Sequence, residues 1–515
     1  MNATFDAKAL FVIIRIIRNS LLFDEKWYKS EYGLQGQDAA SHYYVVGWKE
    51  GMDPSPLFST NGYLDRYPEV KERGLNPLLH FEVEGVKSSR YLDFVDLQKL
   101  RNMHPELLTD MKDGFLRIRI TNACNAKCRY CGNRLFYGKE KDHEMDKEWL
   151  FTWCRPLYLQ IRYLLLTGGD PYITPHSYEF MKFVSEEYPH ITIATESNGI
   201  AFDVKFRELA AKHLFRTHFS TNASNANLYG KSCWEGTGGE TVYERFMGNI
   251  RAYIELLEKK NQLCFAPDLS MVINHDNYFD VVDFAKGALA LKATRIGFFF
   301  DYTENNMAAK YFSQPVFSRQ ALKSLMEIER VLAGRVMVAF RLWVPTRELE
   351  MMQPQVDSES DAELHERYAD LLSLSEGRSI VGEHEERNRM RVAAGKQQIT
   401  FDEEYSTTIR TEWRQGRDIC FAPWKELDLY PDGRIDFCGW YAQTQNLHQF
   451  IKDGWLDWNE VMNSYEYMRG RHKILREDYD DCQTCCPMND AANPIVDIFK
   501  YSCPEMSRSA REQKS

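Results

Sequence analysis

The sequence lacks an uninterrupted apolar run long enough to cross a bilayer, and it lacks an excess of basic residues. Its most apolar stretch, LFVIIRIIRNSLLF (10–23), is broken by Arg15, Arg18 and Asn19. We therefore expect an amphipathic helix, packed on its own domain or lying on a membrane surface, instead of a membrane span or a secretion signal. The formal net charge of −11 argues against general nucleic-acid binding. These features predict a cytoplasmic protein with no integral membrane segment and no nucleic-acid partner.

Cysteine is scarce along most of the chain and concentrated in two places. Of the twelve cysteines, three lie within residues 124–131 and six lie after residue 419. Disulfides are not expected in a chain without a secretion signal, because the cytosol keeps thiols reduced. The clustering instead predicts metal or iron–sulfur ligation. The scattered Cys154, Cys233 and Cys264 are expected to be small buried side chains.

The first part of the chain contains an internal repeat. Phe23, Tyr28 and Tyr32 recur thirty-five positions later, and His42 recurs as His80. A repeated aromatic helical unit buries its apolar face against its neighbour, so we expect a helical repeat domain over 1–105. The pattern resembles a tandem module of glycosyltransferases and other bacterial surface-polysaccharide proteins. We expect the two histidines to close the core of the repeats instead of binding a ligand.

From residue 112, apolar runs alternate with helical segments. The runs are GFLRIRIT (114–121), QIRYLLLTGGD (160–170), HITIATESNG (190–199), LFRTHFST (214–221), PDLSMVIN (267–274) and ATRIGFFF (293–300). This alternation predicts an α/β fold with a parallel sheet built of βαβ units. Six such strands make a partial (β/α)6 TIM-like barrel over 112–300. We expect a bridging region over 301–415, with one strand at 335–344, and a small C-terminal iron–sulfur domain over 416–515.

The stretch TNACNAKCRYC (121–131) carries the strongest chemical signal. Cys124, Cys128 and Cys131 are separated by three residues and then by two, directly after the first predicted strand. A 4Fe–4S cluster has four iron corners, so three thiolates leave one iron open for a ligand that is not protein. An open position is typical of catalytic metal sites. The alternative is a zinc site with a distant fourth ligand, which is disfavoured because such sites usually use paired C-x-x-C knuckles.

This spacing, with the aromatic Tyr130 before the last cysteine, resembles the signature of the radical S-adenosylmethionine superfamily. The resemblance implies that the open iron binds S-adenosylmethionine. One electron then cleaves the sulfonium to methionine and a 5′-deoxyadenosyl radical, which abstracts hydrogen from a substrate. The resemblance also implies a reductase, flavodoxin or ferredoxin as electron donor. The segment TGGDP (167–171) resembles the one that holds the methionine amino group, through Gly168, Gly169 and Asp170.

The resemblance implies further cofactor contacts in the later strands. Ser220, in FSTNAS (219–224), matches the hydroxyl that contacts the ribose. Lys231 stands where relatives place an arginine near the methionine carboxylate; lysine supplies the charge without the bidentate fork. Asn274 is a candidate for a contact near the adenine. Glu196, near the end of the third strand, is a candidate general base.

The C-terminal cysteines form a second pattern. CFAPWKELDLYPDGRIDFC (420–438) places two cysteines around a PDG turn, which predicts a hairpin, and DDCQTCCP (480–487) follows. This segment resembles the SPASM/twitch extension of the superfamily. The resemblance implies one auxiliary 4Fe–4S cluster, closed by four cysteines and suited to electron transfer. Its expected ligands are Cys420, Cys438, Cys482 and Cys485. Two clusters, using also Cys486 and Cys503, remain the alternative.

The substrate is left open by the sequence. A carbohydrate or glycan-pathway intermediate that is oxidised or epimerised is favoured by the association of the N-terminal repeat with polysaccharide proteins. The first alternative is maturation of a peptide by crosslinking or oxidation, as in many SPASM relatives. The second is a non-catalytic interaction protein of a polysaccharide assembly, which the intact TNACNAKCRYC and TGGDP segments disfavour.

Overall fold

The computed structural model describes residues 7–85, 94–128, 131, 143–234, 238–274, 276–300, 315–341, 343–401, 411–414, 417–420, 422–437, 445–476, 478 and 495–497. Five residues discussed above lie outside the described residues in the C-terminal region, together with Tyr130 in the cysteine loop. The five are Cys438, Cys482, Cys485, Cys486 and Cys503. Among the described helices, none is both long and apolar enough to cross a membrane.

The strands of the described part have the following bounds. They are β1 Gly114–Thr121, β2 Ile161–Gly168, β3 Thr192–Ser197, β4 Arg216–Ser220, β5 Asp268–Ile273, β6 Arg295–Phe300, β7 Met337–Arg341, β8 Trp343–Pro345, β9 Thr411–Arg414, β10 Arg417–Cys420, β11 Glu426–Leu429, β12 Arg434–Asp436, β13 Gln445–Asn446, β14 Ile451–Lys452, β15 Trp455–Leu456 and β16 Ile495–Asp497.

The α-helices of the same part are numbered in chain order. They are α1 Ala7–Arg18, α2 Glu25–Glu31, α3 Ala39–Val45, α4 Thr60–Arg66, α5 Pro68–Glu72, α6 Pro77–His80, α7 Leu97–Met103, α8 Arg155–Tyr158, α9 Ser177–Glu187, α10 Val204–His213, α11 Ala226–Cys233, α12 Gly239–Lys259, α13 Val281–Ala290, α14 Pro315–Leu332, α15 Thr346–Asp357, α16 Asp361–Arg367, α17 Ala369–Leu374, α18 Ile380–Ala393, α19 Ala422–Lys425, α20 Trp458–Met462 and α21 Tyr465–Leu475. Short 3₁₀ or π turns span Gly47–Glu50, Phe81–Gly85, Pro105–Leu107, Trp149–Trp153, Leu263–Phe265, Tyr278–Asp280 and Leu447–Phe450.

The main sheet confirms the α/β fold with a parallel core. Strands β1 to β6 coincide with the six apolar runs of the sequence, each end within two residues, and neighbouring strands all pair in parallel. The sheet also extends beyond these six strands. β7 pairs in parallel with β6, and β11 pairs in parallel with the other edge of β1. β12 and β13 then continue antiparallel, which gives ten strands in the order β13-β12-β11-β1-β2-β3-β4-β5-β6-β7.

The two faces of the sheet differ in chemistry. On β1, the alternating side chains of Leu116, Ile118 and Ile120 are fully buried in the apolar core with the helices. Arg117 and Arg119 alternate with them and therefore point to the opposite face, which we call the inner face. The guanidinium of Arg117 donates to both oxygens of Asp428 on β11, at 2.7 and 2.8 Å. Both hydrogen bonds come from Nη1, and this charge-assisted pair holds the C-terminal segment beside β1.

The N-terminal helices repeat one contact in both sequence copies. Tyr28 Oη lies 3.0 Å from His42 Nδ1, and Tyr63 Oη lies 3.0 Å from His80 Nδ1. Each histidine therefore hydrogen-bonds to the first tyrosine of its own copy. The apolar core around these tyrosines continues into α21, where Tyr465 is buried. The first and last described helical regions consequently share one core.

Candidate active site

The cysteine loop follows β1 at the carboxyl edge of the parallel strands, where ligands of α/β proteins bind. Thr121 Oγ1 accepts from Ala123 N at 3.0 Å, and Cys131 N donates to Cys128 O at 3.3 Å. Cys124 is exposed, and the other two thiols are half-buried. Considering the described residues alone, no three His, Cys, Asp or Glu side chains are grouped so as to hold a single metal ion.

The TGGD segment at the end of β2 lies directly against the cysteine loop. Gly169 N donates to Thr121 O at 2.6 Å, and Asp170 N donates to Ala123 O at 2.9 Å. Gly168 has φ of 122°, and a Cβ there would overlap the Thr121 carbonyl oxygen. A Cβ on Gly169 would overlap the carbonyl oxygen of Ala123. The two glycines are therefore required for the close approach of two backbones, one of which carries the cysteines.

Asp170 lies beneath this contact with no exposed surface. One carboxylate oxygen accepts from Ser197 Oγ at 2.7 Å and from Asn198 N at 3.0 Å, and the other accepts from Tyr172 N at 2.9 Å. Burial raises the pKa of Asp170, and these three donors act against that rise. Asp170 therefore links β2 to the end of β3, while its contact with the methionine amino group stays a prediction.

Two N–H groups point at the sulfur of Cys124. Ala126 N donates to Cys124 Sγ at 3.4 Å, and Asn198 Nδ2 donates to the same sulfur at 3.4 Å and to Asn125 Oδ1 at 2.7 Å. Cysteine ligates iron as the thiolate, which N–H donors stabilise. With three cysteines on one loop and two N–H donors at the Cys124 sulfur, this segment fits an iron–sulfur cluster.

Residues 118–286, which contain the cysteine loop and the TGGD segment, match the family model described as the Radical SAM superfamily. This segment of the chain is thus similar to a radical SAM domain. The match begins within β1 and ends within α13, so it covers the strands that surround the cysteine loop.

Curated relatives align with parts of the chain. The GTP 3′,8-cyclase of Campylobacter curvus is 29% identical over 113 residues, which are 22% of this chain and 35% of the relative. The GTP 3′,8-cyclase of Sulfurimonas denitrificans is 23% identical over 205 residues, which are 39% of this chain and 59% of the relative. The chain thus spans from about a third to about three fifths of the length of these relatives.

Solved structures resemble the chain over a larger share of its length. SuiB from Streptococcus suis covers 86% of this chain and 91% of its own, with 13% identity and a TM-score of 0.42. Native anSMEcpe with bound AdoMet covers 74% of this chain and 92% of its own, with 13% identity and a TM-score of 0.42.

The other predicted cofactor residues lie at the ends of β4 and β5 or on α11. Ser220 is half-buried at the end of β4, and Lys231 is exposed on α11. The helix α11 borders the cysteine loop because Lys127 N donates to Cys233 O at 3.3 Å. Asn274 is 7% exposed, and its side-chain oxygen accepts from the backbone N–H of Asp276, within its own turn. The contacts of Ser220, Lys231 and Asn274 with the cofactor stay predictions.

Glu196 lies on the inner face of the main sheet. It is exposed, its Oε2 accepts from Thr167 Oγ1 at 3.0 Å, and it pairs across the strands with His218. His218 Nε2 lies 2.7 Å from Ser270 Oγ. Burial lowers the pKa of His218, and the nearby Arg295 guanidinium lowers it further, while the charges of Glu196 and Asp268 act in the opposite direction. Glu196 thus lies beside His218 on a face that water reaches.

The sequence reasoning missed two groups of residues. The first is the inner-face set of Arg117, Arg119 and Asp428, although the two-residue spacing of the arginines in LRIRIT was a visible sign of one shared face. The second is the pair Ser197 and Asn198, which connect Asp170 to Cys124. Their signal was the SNG triplet (197–199), in which the third strand ends.

The described part of the C-terminal pattern contains one of its four expected ligands. Cys420 ends β10 and is 6% exposed. The predicted hairpin is formed by β11 and β12, with Gly433 at φ of 87° in the turn between them. Of the three scattered cysteines, Cys154 and Cys233 are buried and Cys264 is half-buried.

Proposed function

We propose that the chain is a radical S-adenosylmethionine enzyme in which Cys124, Cys128 and Cys131 hold a 4Fe–4S cluster with one iron open for S-adenosylmethionine. The observation that carries the proposal is the cysteine loop itself, fixed by TGGD at the carboxyl edge of the parallel strands, inside the segment that matches the family. An assembled cluster with bound S-adenosylmethionine would supply a 5′-deoxyadenosyl radical at this edge.

The roles of the chain's own residues follow from their positions. Gly168 and Gly169 let the β2 end approach the cysteine loop, and Asp170 holds the end of β3 beneath it. In this proposal Ser220 contacts the ribose, and Lys231 approaches the methionine carboxylate. The remaining contacts, those of Tyr130 and Asn274 with S-adenosylmethionine, belong to the same proposal.

We further propose one auxiliary 4Fe–4S cluster in the C-terminal segment, which would exchange electrons with a substrate radical or with a reductase, flavodoxin or ferredoxin. Its ligands would be Cys420, Cys438, Cys482 and Cys485. The support is the cysteine content of this segment and the hairpin that leads from the Cys420 region toward Cys438. A second auxiliary cluster on Cys486 and Cys503 would raise the iron content by about four.

The test is anaerobic iron and sulfide analysis together with an assay for 5′-deoxyadenosine. The unmodified protein should contain about eight irons per chain, two clusters of four, and should release 5′-deoxyadenosine under reduction. The Cys124→Ala, Cys128→Ala, Cys131→Ala triple variant should retain about four irons and release none. Release of 5′-deoxyadenosine by the triple variant would refute the assignment of the catalytic cluster, and about four irons in the unmodified protein would remove the auxiliary cluster.

For the substrate, we propose a polar carbohydrate or glycan-pathway intermediate that is oxidised or epimerised, so that the enzyme is of the oxidoreductase or isomerase type. The inner face supports a polar substrate, because charged and hydrogen-bonding side chains such as Arg119, Glu196 and His218 line it. The resemblance of the N-terminal repeats to polysaccharide proteins supports the carbohydrate class. Glycosyltransferase genes next to the gene of this protein would favour a carbohydrate substrate. A neighbouring gene for a short precursor peptide would favour peptide maturation. Absence of 5′-deoxyadenosine formation would favour a non-catalytic interaction protein.

Glu196 is the proposed general base, and its replacement should slow product formation. The variant Glu196→Gln keeps the shape and the hydrogen bond from Thr167 but cannot take a proton, so we expect about a hundredfold less product per 5′-deoxyadenosine formed. The control is Glu187→Gln, at the exposed end of α9, which should match the unmodified protein. An unchanged product ratio in Glu196→Gln would exclude the carboxylate as the base.

A further inference from the structure

The side-chain amide of Asn198 has a defined orientation. Its Oδ1 accepts from Ile200 N at 2.9 Å, which directs Nδ2 away from that backbone and toward the cysteine loop. The two hydrogens of Nδ2 then have one acceptor each, Asn125 Oδ1 at 2.7 Å and Cys124 Sγ at 3.4 Å. The contact with sulfur therefore follows from the hydrogen-bond network, and a flipped amide would lose three hydrogen bonds.

The backbone of Asn198 is held equally firmly. Its N–H donates to Asp170, whose own N–H donates to Ala123 O at 2.9 Å. Ser197 Oγ donates to the same carboxylate and accepts from Gly199 N at 2.8 Å. These contacts close a ring from the residue before Cys124, through buried Asp170, to Asn198 and back to the Cys124 sulfur. Because Asp170 has no exposed surface, water cannot replace its hydrogen bonds.

Cys124 Sγ thus receives one backbone donor, Ala126 N, and one side-chain donor, Asn198 Nδ2, both at 3.4 Å. Replacing the side chain of residue 198 removes the second donor and leaves the backbone donor in place. Hydrogen bonds to the ligand sulfurs are one of the factors that set the reduction potential of an iron–sulfur cluster. They favour the reduced state, because it carries one more negative charge.

We propose that Asn198, held by Asp170 and Ser197, is a positioning residue that orients Cys124 and raises the reduction potential of the cluster on the cysteine loop. The inference rests on the proposed function, since it requires that Cys124 ligates a cluster. The SNG triplet at the end of β3 would then help to set the reduction potential of this cluster.

The experiment is a redox titration of the reconstituted protein, monitored by electron paramagnetic resonance without S-adenosylmethionine. Asn198→Ser removes the donor to sulfur while its hydroxyl still accepts from Ile200 N. Asn198→Asp keeps the shape but turns an oxygen toward the thiolate. We expect Asn198→Ser to lower the equilibrium constant for reduction of the cluster about tenfold, which corresponds to a reduction potential lower by about 59 mV for one electron. Asn198→Asp should lower the potential further. The Cys124→Ala, Cys128→Ala, Cys131→Ala variant should retain only the auxiliary cluster, so its spectrum is subtracted from those of the other proteins.

The matched control is Asn249→Ala. Asn249 Nδ2 donates to Gly199 O and Ile200 O at 3.0 and 3.1 Å, so it supports the same turn from the other side without contacting sulfur. A lower potential in both Asn198 variants and an unchanged potential in Asn249→Ala would support the inference. An unchanged potential in the Asn198 variants, or an equal shift in Asn249→Ala, would overturn it while leaving the proposed function intact. If the unmodified protein gave no signal beyond that of the triple cysteine variant, the proposed function would fail first.

Discussion

Replacing Gly169 by alanine should remove about four irons per chain, the content of one 4Fe–4S cluster. The added Cβ would overlap the carbonyl oxygen of Ala123, the residue before Cys124, so this backbone must move. Movement is costly, because Gly169 N donates to Thr121 O at 2.6 Å and Thr121 is the last residue of β1. The strand holds one side of the contact and the TGGD turn the other, so the overlap displaces the cysteine loop itself.

The control for Gly169→Ala is the same chemical change in a place with room for it. Gly248 lies exposed within α12, and a Cβ there would meet no atom within 4 Å. Gly248→Ala should keep the full iron content and gain about 0.5–1 kcal/mol of unfolding free energy, because alanine loses less backbone entropy in a helix. Iron and sulfide analysis of both variants, with circular dichroism of the iron-free chains, separates loop displacement from misfolding. Full iron in Gly169→Ala would contradict the role given to the glycine.

The parts that were predictable from the sequence are those encoded in short segments. Short apolar or alternating runs separated by helical segments predict strands, and this pattern located β1 to β6 to within two residues. The cysteine spacing is also a local feature. It predicts both the loop after β1 and the position of that loop at the edge of the sheet. In both cases the information lies within about ten consecutive residues.

Contacts between distant segments were not predictable in the same way. The run around residues 426–429 indicated only a hairpin, yet β11 pairs in parallel with β1. The Arg117–Asp428 pair that supports this pairing joins residues 311 positions apart. An open edge on β1 gives no local sign of which later segment will cover it, because period-two alternation fixes the face of a side chain and not its partner.

Asp170 illustrates a second limit. Resemblance gives this position a contact with the methionine amino group, which stays a prediction; the structure adds that the carboxylate is buried and accepts hydrogen bonds from β3 and from Tyr172. A motif aligns positions along the chain, but the direction of a side chain depends on the neighbouring strand. The connection from Asp170 through Asn198 to Cys124 therefore became visible only with the strands side by side.

The largest expected effect on stability comes from Glu82, which joins the N-terminal helices to α21. Its side chain is 2% exposed and accepts from Ser20 Oγ at 2.6 Å, from Tyr465 Oη at 3.0 Å and from Arg469 Nε at 2.6 Å. Glu82→Ala removes the carboxylate from a buried guanidinium and the acceptor from two hydroxyls. Breaking one partner of a buried ion pair costs about 3–5 kcal/mol, so the unfolding free energy in urea should fall by that amount.

Glu84, two residues later on the same turn, provides the matched control. Its side chain is 52% exposed, 3.6 Å from Arg73 and 3.3 Å from His80, so Glu84→Ala should cost at most about 1 kcal/mol. A Glu82→Leu, Arg469→Leu double variant should recover much of the loss, because an apolar pair needs no desolvation of charge. A double-mutant cycle with the single variants Glu82→Leu and Arg469→Leu measures the coupling free energy between the two side chains. If Glu82→Ala cost no more than Glu84→Ala, the buried pair would not be what holds the N-terminal helices to α21.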